Sequence, residues 1–324
     1  MTHEISAANI KRFGLTGASG YIAPRHMKAI KDTGNVLTAA LDPFDSVGIM
    51  DSYFPQCEFF TQPEKFERYL HDTRRRGEGA DYVSICSPNH MHDPHIRLAL
   101  RAGSDAICEK PIVLHPGDID ALKEVEAETG QRVWTILQLR THAALVALKE
   151  RLEAEGDTGQ KDVDLTYMTS RGTWYLRSWK GREEESGGLA TNIGVHFFDM
   201  LTWLFGELTH VEVHERTPTL NAGYLELERA RVRWLLSIDE TLLPEVVRLK
   251  GQRTYRSITI DGQEIEFSEG FTDLHTDVYR RTLAGQGFSL DDTRGAIETV
   301  SRIRTLPLVS PAPATRSPLL SRYE

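Results

Sequence analysis

The 324-residue sequence predicts an α/β protein: a doubly wound parallel sheet, then a second domain of different design. Three observations predict it. Strand-like and helix-like segments alternate from Lys11 to about residue 140, a glycine-rich turn joins the first strand to the first helix, and after Leu152 strand-like runs separated by turns take over. A chain of this length exceeds what one core usually serves, so two domains are expected, residues 1–140 and 141–324.

The first strand, Lys11–Gly17, runs into Gly17-Ala18-Ser19-Gly20-Tyr21-Ile22-Ala23 and a helix reaching about Thr33. Small residues in such a turn let the backbone approach a pyrophosphate, which then rests on the helix N-terminus. A second strand, Val36–Leu41, ends at Asp42, which lies 22 residues beyond Gly20, about the spacing of an acid that takes ribose hydroxyls. A carboxylate there repels a 2′-phosphate and Pro43-Phe44 brings no arginine, so NAD is expected rather than NADP. The predicted cradle is Gly17, Ser19, Gly20, Tyr21, Ile22 and Asp42.

Ala80–Cys86 is the next clear strand, followed by Ser87-Pro88-Asn89-His90-Met91-His92 and a helix from about Asp93 to Ala102. His90, His92 and His95 are read as part of a loop lying along the cofactor, not as metal ligands, because Asp93 suits a helix cap and no cysteine pairs with them. No metal is expected. Arg74-Arg75-Arg76 reads as a solvated helix end. Ser104–Cys108 delivers Glu109-Lys110-Pro111, with a helix from Pro116, and Arg132–Leu139 closes the sheet. Burying an ammonium is costly, so Lys110 is placed at the crevice along the carboxyl ends of the strands. The proline after it sets a fixed turn and admits a cis bond. Ser87, Asn89, His92, Glu109, Lys110 and Gln138 complete the expected cofactor set.

Composition narrows the partners. A charge of 38 − 47 = −9 disfavours nucleic acid and anionic membrane. No apolar run approaches the ~20 residues that span a bilayer, and the start lacks a signal-peptide layout. Cys57, Cys86 and Cys108 are scattered, as in a reducing compartment. The expectation is a cytoplasmic protein acting on a small molecule.

The glycine turn, Ser-Pro-Asn-His-x-His and Glu109-Lys110-Pro111 together resemble the Gfo/Idh/MocA oxidoreductases, as does Gly187-Gly188-Leu189-Ala190-Thr191-Asn192-Ile193-Gly194-Val195-His196. More narrowly, Arg171–Leu201 is similar to bacterial UDP-N-acetylglucosaminuronate 3-dehydrogenases, which serve surface polysaccharides such as O-antigens. The resemblance implies an N-terminal Rossmann domain and a C-terminal α/β domain with a large, mostly antiparallel sheet whose exposed face makes a dimer or tetramer. Strand-like runs at 162–169, 209–215, 223–229, 231–238, 254–260 and 264–268 agree, with Asp261-Gly262 as a hairpin signal and an irregular tail from Pro307 that could reach a neighbour.

The implied reaction is NAD-dependent oxidation of the C3 hydroxyl of UDP-2-acetamido-2-deoxy-D-glucuronate, with 2-oxoglutarate as a candidate hydride acceptor. By resemblance His196 takes the hydroxyl proton and Lys110 orients the same oxygen; the roles could be exchanged, since a crowded ammonium can titrate low. Many members carry aspartate where this chain has Asn192, which is expected to contact substrate or His196; Asp199 could replace the missing acid or pack the helix. Tyr175, Arg177, Ser178 and Lys180 are expected at the nucleotide sugar, with Trp174, Trp179 and Arg182 nearby. Phe271–His275 and Tyr279 are further candidates. The alternatives are a free sugar or polyol dehydrogenase and a non-catalytic NAD sensor. A short-chain dehydrogenase would need Tyr-x-x-x-Lys, and none of the ten tyrosines has a lysine four residues on.

Overall fold

The computed structural model describes residues 10–156, 159–265 and 273–320. The chain divides into two compact units. One holds the chain through Val113 together with Gly117–Gln138 and Thr272–Thr293, and the other holds Leu114–Pro116, Leu139–Phe271 and the chain from Arg294.

In the first unit, β1 (Arg12–Thr16), β2 (Val36–Leu41), β3 (Glu58–Phe60), β4 (Tyr82–Ile85), β5 (Asp105–Cys108) and β6 (Val133–Thr135) form one parallel sheet, ordered β3-β2-β1-β4-β5-β6. Phe13, Leu15, Val83, Ile85, Ala106 and Ile107 have no exposed surface, as expected of strands covered on both faces. The helix Ala23–Asp32 buries Ala23, His26, Met27 and Ile30, a single stripe at helical spacing. The strand order reverses between β1 and β4, and the loops leaving those two strands therefore flank the crevice where doubly wound sheets bind ligands.

The alternation read from sequence holds, with differences. The three-residue edge strand β3 has no counterpart in the sequence reading, and of the helix Pro63–Arg75 only its basic end was marked there. The closing strand is shorter than Arg132–Leu139, because Gln138–Thr141 turns into a 3-10 helix. Arg74, in the last turn of its helix, donates to the Gly103 carbonyl, and Arg75 and Arg76 are exposed, as a solvated helix end should be. The helix Leu274–Leu283 belongs to this first unit although it lies more than 130 residues after the last strand of the sheet.

In the second unit, β7 (Lys161–Thr169), β8 (Leu208–Arg216), β9 (Leu220–Leu227), β10 (Ala230–Ser237), β11 (Thr254–Ile260) and β12 (Gln263–Glu264) form a sheet ordered β12-β11-β7-β10-β9-β8. Every pairing in it is antiparallel except β7 with β10. Asp261 (φ 50°) and Gly262 (φ 77°) make the tight hairpin between β11 and β12; the expected strand beyond Ile265 lies outside the described residues. The helix Val195–Phe205 packs on the sheet through Phe198 against Trp234 (ring centroids 5.4 Å apart) and Phe197 against Tyr167 (4.7 Å). Arg233 grips Asp164 at 2.6 and 2.9 Å, and its neighbour Arg231 pairs with Asp162, giving the sheet a charged cross-strand ladder. The tail from Pro307 is irregular and returns to its own unit: Val309 N–H bonds Val213, and Leu319 and Leu320 pack beside Met168 and Leu235. Among the described residues no helix is long and apolar enough to cross a membrane.

Candidate active site

The glycine turn is built for close approach. Gly17 has φ 80°, and a Cβ there would stand 2.5 Å from the Cys86 carbonyl carbon, so only glycine lets the β1 turn press against the end of β4. Ser19 and Tyr21 are exposed above it, Tyr21 by 87%, with Gly20 and Ile22 half-buried. Asp42, at the end of β2, is 4% exposed; its carboxylate accepts from Ser19 N–H and Phe44 N–H, both at 2.9 Å. A carboxylate has about four lone-pair sites, so Asp42 both fixes the turn and keeps acceptor capacity. Gly17 through Ile22 with Asp42 thus fit a dinucleotide.

Beyond β4, Asn89 is 5% exposed, and Ser87 Oγ meets His95 Nδ1 at 2.9 Å. His92 is 1% exposed and lies between the Pro111 carbonyl (2.7 Å) and the Ser87 carbonyl (2.9 Å), clasping the loops after β4 and β5 together. Anything His92 does for a cofactor is done through those loops. Burial pushes His95 down to about 4, which favours its neutral ring, and burial also lowers His92 against the opposing pull of the two carbonyls it faces.

Lys110 follows β5, half-buried, and its bond to Pro111 is cis. Glu109 beside it is 5% exposed, with Oε1 receiving His26 Nε2 at 2.9 Å and His275 Nε2 at 2.8 Å. Sequence reasoning assigned Glu109 to the cofactor but missed these partners. The pattern did contain a signal: His26 falls on the buried stripe of an otherwise apolar helix face, where an imidazole needs a polar neighbour. His275 and Tyr279, which sequence reasoning offered as substrate candidates, belong to this same buried cluster. Phe271 and Thr272 lie outside the described residues. Gln138 is half-buried at the start of its 3-10 turn.

In the second unit, Gly187 (φ 78°) and Gly188 (φ 77°) end a short helix and start the segment carrying Asn192 and His196. Ala190–Gly194 is a π-helical turn that passes into the α-helix at Val195; such turns often mark functional sites. A Cβ on Gly194 would meet Leu236 Cδ1 at 2.5 Å, so glycine lets this turn lie close on the sheet. His196 is half-buried. Asn192 donates from Nδ2 to Tyr175 Oη at 2.6 Å, a partner the sequence did not reveal. Asp199 is held by Arg140, which bonds both its oxygens at 2.7 and 3.1 Å, with 3% of the Asp199 side chain exposed; this pair is the helix-packing role.

The segment after β7 folds tightly on itself. Tyr175 is buried, Ser178 Oγ donates to the Tyr175 carbonyl at 2.8 Å, and Gly181 sits where a Cβ would collide with Leu176. Lys180 Nζ stands 3.9 Å from the Trp179 ring centroid, while Arg177 and Trp174 are exposed. Arg182 pairs with Glu185.

Residues 11–137 match the oxidoreductase family with an NAD-binding Rossmann fold, GFO_IDH_MocA, and residues 149–239 match its C-terminal alpha/beta domain. The WlbA (WbpB) dehydrogenase from Thermus thermophilus, solved with NAD and UDP-GlcNAcA, is 63% identical over 95% of this chain and 99% of its own, with a TM-score of 0.92. The chain belongs to the Gfo/Idh/MocA family. A second structure of that Thermus dehydrogenase, with NAD and alpha-ketoglutarate, aligns at 64% identity over 95% of this chain and 99% of its own, with a TM-score of 0.93. Inositol 2-dehydrogenase from Rhizobium meliloti (strain 1021) is a more distant relative, 28% identical over 60% of this chain. That match spans 55% of the inositol enzyme, and the chain similarly covers about half of other curated relatives. The mostly antiparallel C-terminal sheet implied by the family resemblance is the one observed.

Proposed function

We propose that this protein is an NAD-dependent dehydrogenase that oxidises the C3 hydroxyl of UDP-2-acetamido-2-deoxy-D-glucuronate to the 3-oxo sugar. The observation that carries the reading is the 63% identity, across nearly the whole chain, to a dehydrogenase solved with NAD and UDP-GlcNAcA. The cradle supports it: Gly17 admits the backbone approach that a pyrophosphate needs, and Asp42 offers a carboxylate without a neighbouring arginine. Ser87, Asn89, His92, Glu109 and Gln138 are assigned to the same cofactor half. NAD, when bound, supplies the hydride acceptor.

The chain's own residues do the rest. His196 accepts the hydroxyl proton, and Lys110 donates a hydrogen bond to the same oxygen, its charge favouring the developing alkoxide. Asn192 and Tyr175 shape the sugar pocket, and Arg177, Ser178 and Lys180 take the uronate and diphosphate. The second substrate is a 2-oxo acid: the Thermus relative was solved with alpha-ketoglutarate, whose 2-oxo carbon is suited to hydride return. We assign residues 1–140 to cofactor binding and 141–324 to substrate binding and assembly, in a cytoplasmic homodimer or homotetramer serving surface polysaccharide (O-antigen) synthesis. The charged ladder on the second sheet is a candidate contact for that assembly.

Mixing the purified protein with NAD and a panel of UDP-sugars tests the reading through the absorbance of reduced cofactor, with a 2-oxo acid added for turnover. The uronate should react and the Lys110→Ala variant should not, while still binding NAD. Reaction with free inositol or glucose but not with the uronate would overturn it.

A further inference from the structure

The buried cluster behind Lys110 has a proton order that can be counted. Both imidazole Nε2 atoms converge on one oxygen, Glu109 Oε1, at 2.8 and 2.9 Å, the length of charge-assisted bonds. Two donors on one oxygen require an acceptor, so each imidazole carries its proton on Nε2. His26 Nδ1 is then a bare lone pair, and Tyr279 Oη donates to it at 2.7 Å. Tyr279 in turn accepts from Ser84 Oγ at 2.5 Å. The chain of bonds ends on a single anion. Burial opposes ionisation of Glu109, yet the bonds from His26 and His275 outweigh it and hold the carboxyl well below the usual range. Burial lowers His26, in keeping with a neutral ring.

Four separate parts of the first unit build this arrangement: Ser84 in β4, His26 on the first helix, Glu109 after β5, and His275 with Tyr279 one turn apart on Leu274–Leu283. An ion buried for stability alone is a poor investment, because apolar residues in its place often stabilise a protein equally or better. What distinguishes this anion is its position. Glu109 immediately precedes Lys110, and its second oxygen, Oε2, accepts the Lys110 main-chain N–H at 3.3 Å.

We propose that Glu109 is a positioning residue for Lys110, its carboxylate locked by His26 and His275 so that the Lys110 backbone, and the side chain it carries, start from one fixed place at the crevice. The inference rests on the reading that Lys110 takes part in the reaction. His26, Glu109 and His275 also offer three ligand atoms within 4.8 Å of one another. Their N-to-O separations are those of direct hydrogen bonds, and Tyr279 saturates the far side of His26, so the cluster is assigned to proton bonding rather than to a cation.

The test compares Glu109→Gln, His275→Ala and His275→Gln with wild type and Lys110→Ala, measuring kcat, the Kd for NAD and bound metal. Glu109→Gln and His275→Ala should each lose at least ~10-fold in kcat, since small misplacements of a reacting group are costly, while in His275→Ala the Kd for NAD moves less than about 3-fold. His275→Gln restores an N–H near the Nε2 position and should recover most of the kcat lost in His275→Ala. If Glu109→Gln fails to fold, the pair of His275 variants carries the test alone. Wild-type kcat in His275→Ala, equal losses in kcat and NAD affinity, or no recovery with glutamine overturns the proposal while leaving Lys110 in place. Full turnover by Lys110→Ala overturns the reading beneath it. One equivalent of a transition metal that co-purifies with wild type and is lost in His275→Ala would make the cluster a metal site and also overturn it.

Discussion

The buried pair Arg140–Asp199 supplies a sharp prediction about what holds the His196 helix in place. The side chains are 9% and 3% exposed and meet through two bonds of 2.7 and 3.1 Å. Arg140→Met takes the guanidinium from a buried carboxylate, and Asp199→Leu takes the carboxylate from a buried guanidinium. Each should cost about 3–5 kcal/mol, the range for breaking a buried pair from one side. That is a fifth or more of a typical domain's stability. The double variant strands neither charge and replaces the pair with apolar volume, so its loss should stay below about 2 kcal/mol and below that of either single variant. Urea unfolding of all four proteins, monitored by tryptophan fluorescence, gives the cycle, provided the m-value is constant across it. Additive losses, with the double variant worse than both singles, would refute the argument: Asp199 would then be held by something other than this pair.

Three further outcomes follow from the geometry. Gly17→Ala places a Cβ 2.5 Å from main-chain carbon at φ 80°, a left-handed conformation costing about 1–2 kcal/mol on its own, so calorimetry should show NAD affinity reduced at least ~10-fold; unchanged affinity would contradict the cradle. Tyr175→Phe removes the Oη that accepts from Asn192 Nδ2 in a buried site and should cost about 1–3 kcal/mol in thermal unfolding; an unchanged melting temperature would contradict it. His95 is depressed to about 4 and His26 also lies below its ordinary 6.5, both through burial, so as pH falls the unfolded chain takes up protons first. Stability should therefore decline between pH 6.5 and about 4, by up to roughly 3 kcal/mol from His95, and His95→Asn should flatten that part of a urea-midpoint titration; an identical slope in the variant would contradict it.

Much of this molecule is legible in its sequence because period and punctuation agree. Strands β1, β2, β4 and β5 are short apolar runs ended by glycine, aspartate or proline, and Asp261-Gly262 announces its own hairpin. What was not legible is what depends on distance. Three residues at a sheet edge, Glu58–Phe60, carry no period, so β3 escaped notice. His275 and Tyr279 join Glu109 and His26 across 166 and 253 residues, and no local pattern encodes such a closure. Asp199 stands one turn from His196 and invites a local pairing, but its buried bonds to Arg140, 59 residues away in the chain, could not be read locally. The π turn at Ala190–Gly194 likewise left only one trace in the sequence, a glycine where the segment meets Leu236.

The central claim, oxidation at C3 of a UDP-linked uronate, is tested most directly by isotope. The enzyme is incubated with NAD and UDP-2-acetamido-2-deoxy-D-glucuronate carrying deuterium at C3, and the reduced cofactor is examined by mass spectrometry. Deuterium in the cofactor, one atom for each 3-oxo sugar formed, is the predicted result. Reduced cofactor without deuterium, or no reduction of NAD by this sugar with or without 2-oxoglutarate, would contradict the account.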